Sequence, residues 1–138
     1  MAQHWLACLA KAPSHTGGRM PLHCTAIGKA LLAHASAELQ KEVLAGPLER
    51  RAPRTVVAPG ALRRQVREIT ETDVAFERES TVGLMCVAVP VLGRHNEALA
   101  AISVAGPTGR FRPDRFVTQV RAAATGLGST LHRRNLLS

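Results

Sequence analysis

The order and spacing of the apolar residues predict an α+β fold, a central antiparallel β-sheet flanked by helices. Three observations carry this reading. Residues 25–70 contain stretches whose apolar positions recur at helical spacing. Leu84–Leu92 and Ala98–Ala105 are near-continuous apolar runs joined by Gly93-Arg94-His95-Asn96-Glu97, the pattern of two strands and a hairpin. A last helical stretch follows Pro113. The 138 residues suit one domain with one core, and no internal repeat is visible.

Each element has its own signals. Trp5, Leu6 and Leu9 fit a short strand or a helix end, and Pro13, Ser14, Gly17 and Gly18 read as loop. Thr25 is placed to cap a helix carrying Ala26, Ile27, Ala30, Leu31 and Ala33. Gly28 in its first turn costs about 1 kcal/mol against Ala. Close approach of a ligand or of another backbone is the usual reason for such a glycine. Ser36 caps a second helix through Leu44, which Gly46-Pro47 ends. Residues 45–60 hold three Pro and two Gly and read as a long connection with a short strand at Thr55–Val57. A third helix spans Pro59–Thr70, with Leu62, Val66 and Ile69 as its buried stripe and the pairs Arg64–Glu68 and Arg67–Glu71 on its wet side. Asp73–Arg78 is a short strand. Leu84–Leu92 is a central strand buried on both faces, and Ala98–Ala105 returns beside it until Gly106-Pro107. Pro113 opens the last helix, whose predicted stripe is Phe116, Val120, Ala123, Leu127 and Leu131.

Composition narrows the function classes. The formal net charge is +8, with 18 Lys and Arg against 10 Asp and Glu. A basic surface is compatible with nucleic acid. The basic residues are scattered, however, among Arg50-Arg51, Arg63-Arg64, Arg110 to Arg112 and Arg133-Arg134, without aromatic residues between them to stack bases. No zinc-finger spacing or helix-turn-helix pattern stands out. The three cysteines, Cys8, Cys24 and Cys86, do not suggest a disulfide framework and fit a reducing cytoplasm. No apolar run approaches the ~18 residues of a membrane span. The start of the chain lacks the layout of a signal peptide. His and Cys show no metal-ligand spacing, and no cofactor is implied.

The hairpin strands point to a binding site, because strand side chains alternate between faces. Leu84, Cys86, Ala88 and Pro90 share one face, as do Leu99, Ala101, Ser103 and Ala105, and both sets are small. Met85, Val87, Val89 and Val91, with Ala100, Ile102 and Val104, carry the bulk on the other side. The bulky faces are expected to pack against helices and the small faces to leave room for a ligand. The helix beginning after Thr25 offers the amides of Ala26 and Ile27, which can hold a carboxylate without a charged side chain. Cys86 could serve as a thiol contact or as a small hydrophobe. Ser103 could donate to a ligand or bond to backbone. His23 reads as a satisfied loop histidine, and Glu77 and Glu79 as solvated or paired to Arg.

Taken together, several motifs in order resemble the effector-binding domain of the IclR (isocitrate lyase regulator) family of bacterial transcription regulators, over residues 17–134. They are Gly18-Arg19-Met20-Pro21-Leu22-His23-Cys24-Thr25-Ala26-Ile27-Gly28-Lys29-Ala30-Leu31-Leu32-Ala33, then Leu48-Glu49-Arg50 with Thr55, Ala75-Phe76-Glu77-Arg78-Glu79-Ser80, Gly83 to Val91, and Ala100 to Pro107. The resemblance implies a GAF-like fold that binds a small carboxylate or aromatic metabolite and forms dimers or tetramers. DNA would be reached only through a winged helix-turn-helix module that precedes this domain in the family. It implies ligand contacts at Ala26, Ile27, Cys86 and Ser103, with Glu77 as the acidic residue and with Leu84 and Ala105 beside them.

Three departures accompany the resemblance. The second serine of the family's Ser-x-Ser-Gly-Pro run is Ala105, the usual Gly-Tyr is Asp73-Val74, and the chain begins late. On that reading the DNA-binding module, the connecting helix and the first strands of the sensing domain are expected to be missing. A regulator acting only through oligomerisation is then the alternative to a sensor. GAF-like folds can also host reactive thiols, which makes Cys24 and Cys86 candidates for a thiol enzyme, but neither has an evident base with an orienting Asp or Asn.

Overall fold

The computed structural model describes residues 5–8, 18–79 and 82–134. Leu9, Pro13, Ser14, Gly17 and Ser80, which figure in the sequence reading, lie outside these. Strands β1 (Trp5–Cys8) and β2 (Gly18–Pro21) pair antiparallel, so Gly18 opens a strand where a loop was expected. Helices α1 (Ala26–Ala33), α2 (Ala37–Ala45) and α3 (Pro59–Thr72) follow. Strands β3 (Ala75–Arg78), β4 (Leu84–Leu92) and β5 (Ala98–Pro107) form an antiparallel sheet in that order. A single 3₁₀ turn, Pro113–Phe116, leads into α4 (Val117–Arg133).

The caps act where the sequence placed them. The Thr25 hydroxyl accepts the Gly28 N–H at 2.8 Å, and the Ser36 hydroxyl accepts that of Leu39 at 3.1 Å. Pro59 supplies the first turn of α3, and Asp73 ends that helix in the left-handed conformation at φ 59°. There the Asp73 carboxylate meets His34 Nε2 at 2.7 Å, tying the end of α3 to the end of α1. Residues 55–57 form no strand. Instead Thr55 closes a turn, its hydroxyl accepting the N–H groups of Ala52 at 2.8 Å and Arg51 at 3.2 Å. The β-branched run was misleading because one hydroxyl can satisfy two backbone donors locally.

Both faces of the sheet are packed, which corrects the expectation that the small face stands open. On that face Ala26, Ala30 and Ala33 of α1 join Ala75, Ala88 and Leu62 in one core, with Cys86 and Ala101 at its margin. Small residues here bring a helix close to the strands rather than leaving a void. On the other face Val74, Val87, Val89 and Val91 pack against Val120 and Ala124 of α4. The buried residues of α4 are therefore Val120 and Ala124, with Val117 and Leu131 half-buried beside them, Ala123 exposed, and Phe116 and Leu127 more than a third exposed. The sheet covers Ala124 rather than Ala123, one residue from the predicted stripe; both positions follow Val120 at helical spacing, and packing against the strands selects between them. The expected stripe of α3 is buried in full. Its two i,i+4 pairs do not close, as befits exposed side chains whose pairing would gain only a few tenths of a kcal/mol.

Gly28 has a backbone reason. A Cβ on it would lie 2.4 Å from the carbonyl oxygen of Leu22 and 2.8 Å from its carbonyl carbon. The turn entering α1 thus folds against the helix's own first turn, and it is a backbone, not a ligand, that excludes a side chain. Gly28→Ala should therefore destabilise the fold by about 2 kcal/mol, because the overpacking penalty exceeds the helix-propensity gain. Gly126→Ala in α4, where nothing lies within 4 Å, should stabilise by about 0.5 to 1 kcal/mol. Urea unfolding midpoints of the two variants should move in opposite directions.

Candidate functional site

The register of the sheet gathers most of the candidate residues. Glu77 on β3 is opposite Cys86 on β4, and Cys86 is opposite Ala105 on β5. Ala88 is opposite Ser103, and Leu84 opposite Pro107. Since residues opposite one another share a face, Glu77, Leu84, Cys86, Ser103 and Ala105 all lie on the α1 side of the sheet. Along β4, Leu84, Met85 and Cys86 are half-buried and Val87 to Val91 are buried. On β5, Ser103 is half-buried and Ala105 exposed. Helix α1 thus covers the sheet's centre, over Ala75, Ala88 and Ala101, and along the row Glu77–Cys86–Ala105 the cover thins from buried Glu77 to half-buried Cys86 and exposed Ala105.

The helix start belongs to the same region. Ala26 is buried and Ile27 half-buried, both within the cluster that includes Cys86 and Ala101. The Lys29 N–H bonds to the Thr25 carbonyl at 3.0 Å and the Gly28 N–H to the Thr25 hydroxyl. The amides of Ala26 and Ile27 precede both bonds and have no intrahelical acceptor by the geometry of an α-helix.

Glu77 is neither solvated nor paired to Arg. It is 6% exposed and forms an ion pair with Lys29 of α1, itself 2% exposed. Burial pushes the Glu77 carboxyl above its ordinary pKa, and the Lys29 ammonium beside it pulls it partly back. Sequence reasoning passed over Lys29, although a signal was there. Ala26, Lys29, Ala30 and Ala33 follow i, i+3, i+4, i+7, so the lysine sits on the helix face that meets the sheet. A cavity of about 310 Å³ adjoins the pair, lined also by Arg54, Gln65 and Arg78. Glu79, at φ 56°, reaches Arg54 at 3.5 Å, in line with the expected pairing to Arg.

The remaining candidates have structural roles. His23 is buried, with Nε2 2.7 Å from the Glu49 carbonyl oxygen. Cys24 is fully buried, its thiol donating to the Pro21 carbonyl oxygen at 3.4 Å, and burial pushes its pKa up to about 11. A thiol so protonated at neutral pH is no nucleophile. Among the described residues no helix is long and apolar enough to cross a membrane.

Residues 7–128 match the family described as bacterial transcriptional regulator IclR C-terminal. A curated relative, the HTH-type transcriptional repressor AllR of Klebsiella pneumoniae, is 38% identical over 120 residues, which cover 83% of this chain and 44% of AllR. The chain thus spans about half the length of the curated relatives it matches. Among solved structures, an IclR homolog from Microbacterium hydrocarbonoxydans complexed with 4-hydroxybenzoate superposes with a TM-score of 0.82 at 30% identity, covering 90% of this chain and 51% of that one. The inducer-binding domain of the PobR transcription factor from Acinetobacter, a double mutant complexed with 3-hydroxybenzoic acid, gives 0.73 at 28% identity, covering 83% and 69%.

The buried ion pair yields a test. Without Lys29, Glu77 loses the cation that lowers its pKa, so its folded pKa rises further above the unfolded value. Stability is then greatest below the ordinary carboxylate range and declines as pH rises toward the folded pKa. Lys29→Met should cost about 3 kcal/mol near neutral pH, as expected when one partner of a buried pair is removed. The loss should shrink on acidification toward the ordinary carboxylate range, as the lone carboxyl takes up a proton. Urea unfolding at neutral and at acidic pH reads this difference.

The small-residue helix–sheet face, the Glu77–Cys86–Ala105 row and a family match over most of the chain lead to one assignment: this chain belongs to the C-terminal family of the bacterial IclR transcriptional regulators.

Proposed function

We propose that the chain is a sensor: it binds a small carboxylate or aromatic acid between the start of α1 and the Glu77–Cys86–Ala105 row. The observation that carries this reading is the placement of Glu77, Cys86, Ser103 and Ala105 on the one sheet face that α1 covers incompletely. The hydroxybenzoates bound by two structural neighbours support the ligand class. The ligand carboxylate would sit at the amides of Ala26 and Ile27, where the helix dipole favours negative charge. The Ser103 hydroxyl and Cys86 thiol would donate to it, with Leu84 at the apolar edge. Glu77, held by Lys29, is an acceptor for a ligand hydroxyl. Ala105 offers no hydroxyl where the family pattern has one, so the site has one donor fewer.

In a regulator, occupancy acts only through unequal affinity for two states of the assembly. We place those states in a cytoplasmic dimer or tetramer that reaches DNA through a winged-helix module.

Isothermal titration with glyoxylate, pyruvate and 4-hydroxybenzoate tests the site. At least one should bind the parent chain, and Ser103→Ala should weaken that binding by about five- to tenfold, the loss of one hydrogen bond. Equal binding by the two proteins would remove Ser103 from the site, and absence of binding to the parent would remove the sensor reading.

A further inference from the structure

The other face of the sheet carries a second feature. Strand β3 begins only at Ala75, opposite Ala88, so β4 runs on beyond it from Val89 to Leu92 with β5 as its one neighbour in the sheet among the described residues. Pro90 lies in this overhang, where a residue without an N–H leaves no β3 bond unmade. Helix α4 crosses the same overhang with Ala124 and Gly128, whose small size leaves a cleft of about 760 Å³ between helix, strand and the Gly93–Arg94 turn. Its floor is apolar, formed by Val89, Leu92 and Ala124.

Its rim is cationic. Arg94, Arg121 and Arg133 line it together with His132 and the hydroxyl residues Thr125 and Ser129. Each arginine donates to a partner other than a carboxylate. Arg94 Nε donates to His132 Nδ1 at 3.2 Å, Arg121 Nη2 to the Thr72 carbonyl at 2.7 Å, and Arg133 Nη2 to the Thr130 hydroxyl at 3.3 Å. Among the described residues, none of the three forms an ion pair with a carboxylate. The one acidic residue on the rim, Asp73, is engaged by His34. The nearby Glu97 turns back into its hairpin and accepts the His95 N–H at 2.8 Å. Three guanidinium groups around an apolar floor therefore stand without a direct carboxylate partner at one cavity, the Glu97 carboxylate lying against Gly93 at its hairpin end, and each retains N–H groups beyond the bond it makes.

We propose that this cleft is a second ligand site, which takes a small polyanion bearing carboxylate or phosphate groups. Its anionic groups meet Arg94 and Arg133 at the hairpin end, with Arg121 toward the other end, and its body rests on Val89 and Leu92. The site lies across the sheet from Cys86 and Ser103, so it neither uses nor requires the sensor site described above.

Titration calorimetry of the full chain in a non-coordinating buffer with citrate and with inorganic pyrophosphate tests this. The expected result is saturable one-to-one binding of at least one of the two, unchanged in Ser103→Ala and about tenfold weaker in Arg94→Gln/Arg133→Gln. Preference for citrate assigns carboxylates, and preference for pyrophosphate assigns phosphates. All three arginines are solvent-exposed, and circular dichroism should show the double variant folded; should it not be, Arg121→Gln is read in its place. Amide NMR shifts on ligand addition should centre on Gly93, Thr125 and Ser129. Non-saturating binding, equal binding by parent and arginine variants, or shifts centred on Ala26 and Ser103 would overturn the proposal. So would a strong preference for duplex DNA over both small anions, lost with added salt, which would make the rim a phosphate-backbone surface.

Discussion

Helix α1 lies against the sheet through alanines: Ala26, Ala30 and Ala33 on the helix, Ala75, Ala88 and Ala101 on the strands. Within this close contact sits a single ion pair, Lys29 with Glu77. Alanines give little specificity of register, because one small apolar contact resembles the next. The ion pair does, since any slide of the helix would leave two charges buried without partners. Removing two charges from water is expensive, and the return from their attraction depends on the contact being made well. The pair is therefore better understood as fixing where α1 sits than as a large net source of stability. Gly28 completes the arrangement by letting the turn at Leu22 fold under the helix.

That placement of α1 decides what the sheet can present. Over the centre the helix seals the small face. Toward Cys86 and Ala105 it no longer does. One side chain, Glu77, belongs to both the holding contact and the candidate site. A ligand that approached Glu77 would therefore also test the contact that positions the helix, which is a direct physical route from occupancy to a change in packing.

The opposite face obeys a different logic. There the contacts are bulky, Val87, Val89 and Val91 against Val120 and Ala124, and α4 is held by ordinary hydrophobic packing. The cleft at its side follows from a mismatch of lengths, four residues in β3 against nine in β4. Basic residues that look scattered along the sequence, Arg94, Arg121 and Arg133, meet only because a hairpin and a helix end at the same place.

Much of the architecture is legible in the amino-acid order because it rests on local rules. Thr25 and Ser36 cap because a hydroxyl reaches an amide three residues on; Leu62, Val66 and Ile69 fall on one helical face; and the alternation of Leu84 to Leu92 predicts which residues share a side. The motif order likewise identifies the family. Three-dimensional packing decided the rest. Thr55–Val57 has the residues of a strand but a turn was closer at hand, and packing against the sheet chose Ala124 over Ala123 on α4. Small strand residues were as compatible with an open hollow as with a tight helix contact, and only the position of α1 distinguishes them. The partner of Glu77 is 48 residues away in the chain, and the arginines of the cleft are separated by 27 and 12. Local propensity acts over a few residues, whereas the pairing of distant charges depends on how whole elements pack.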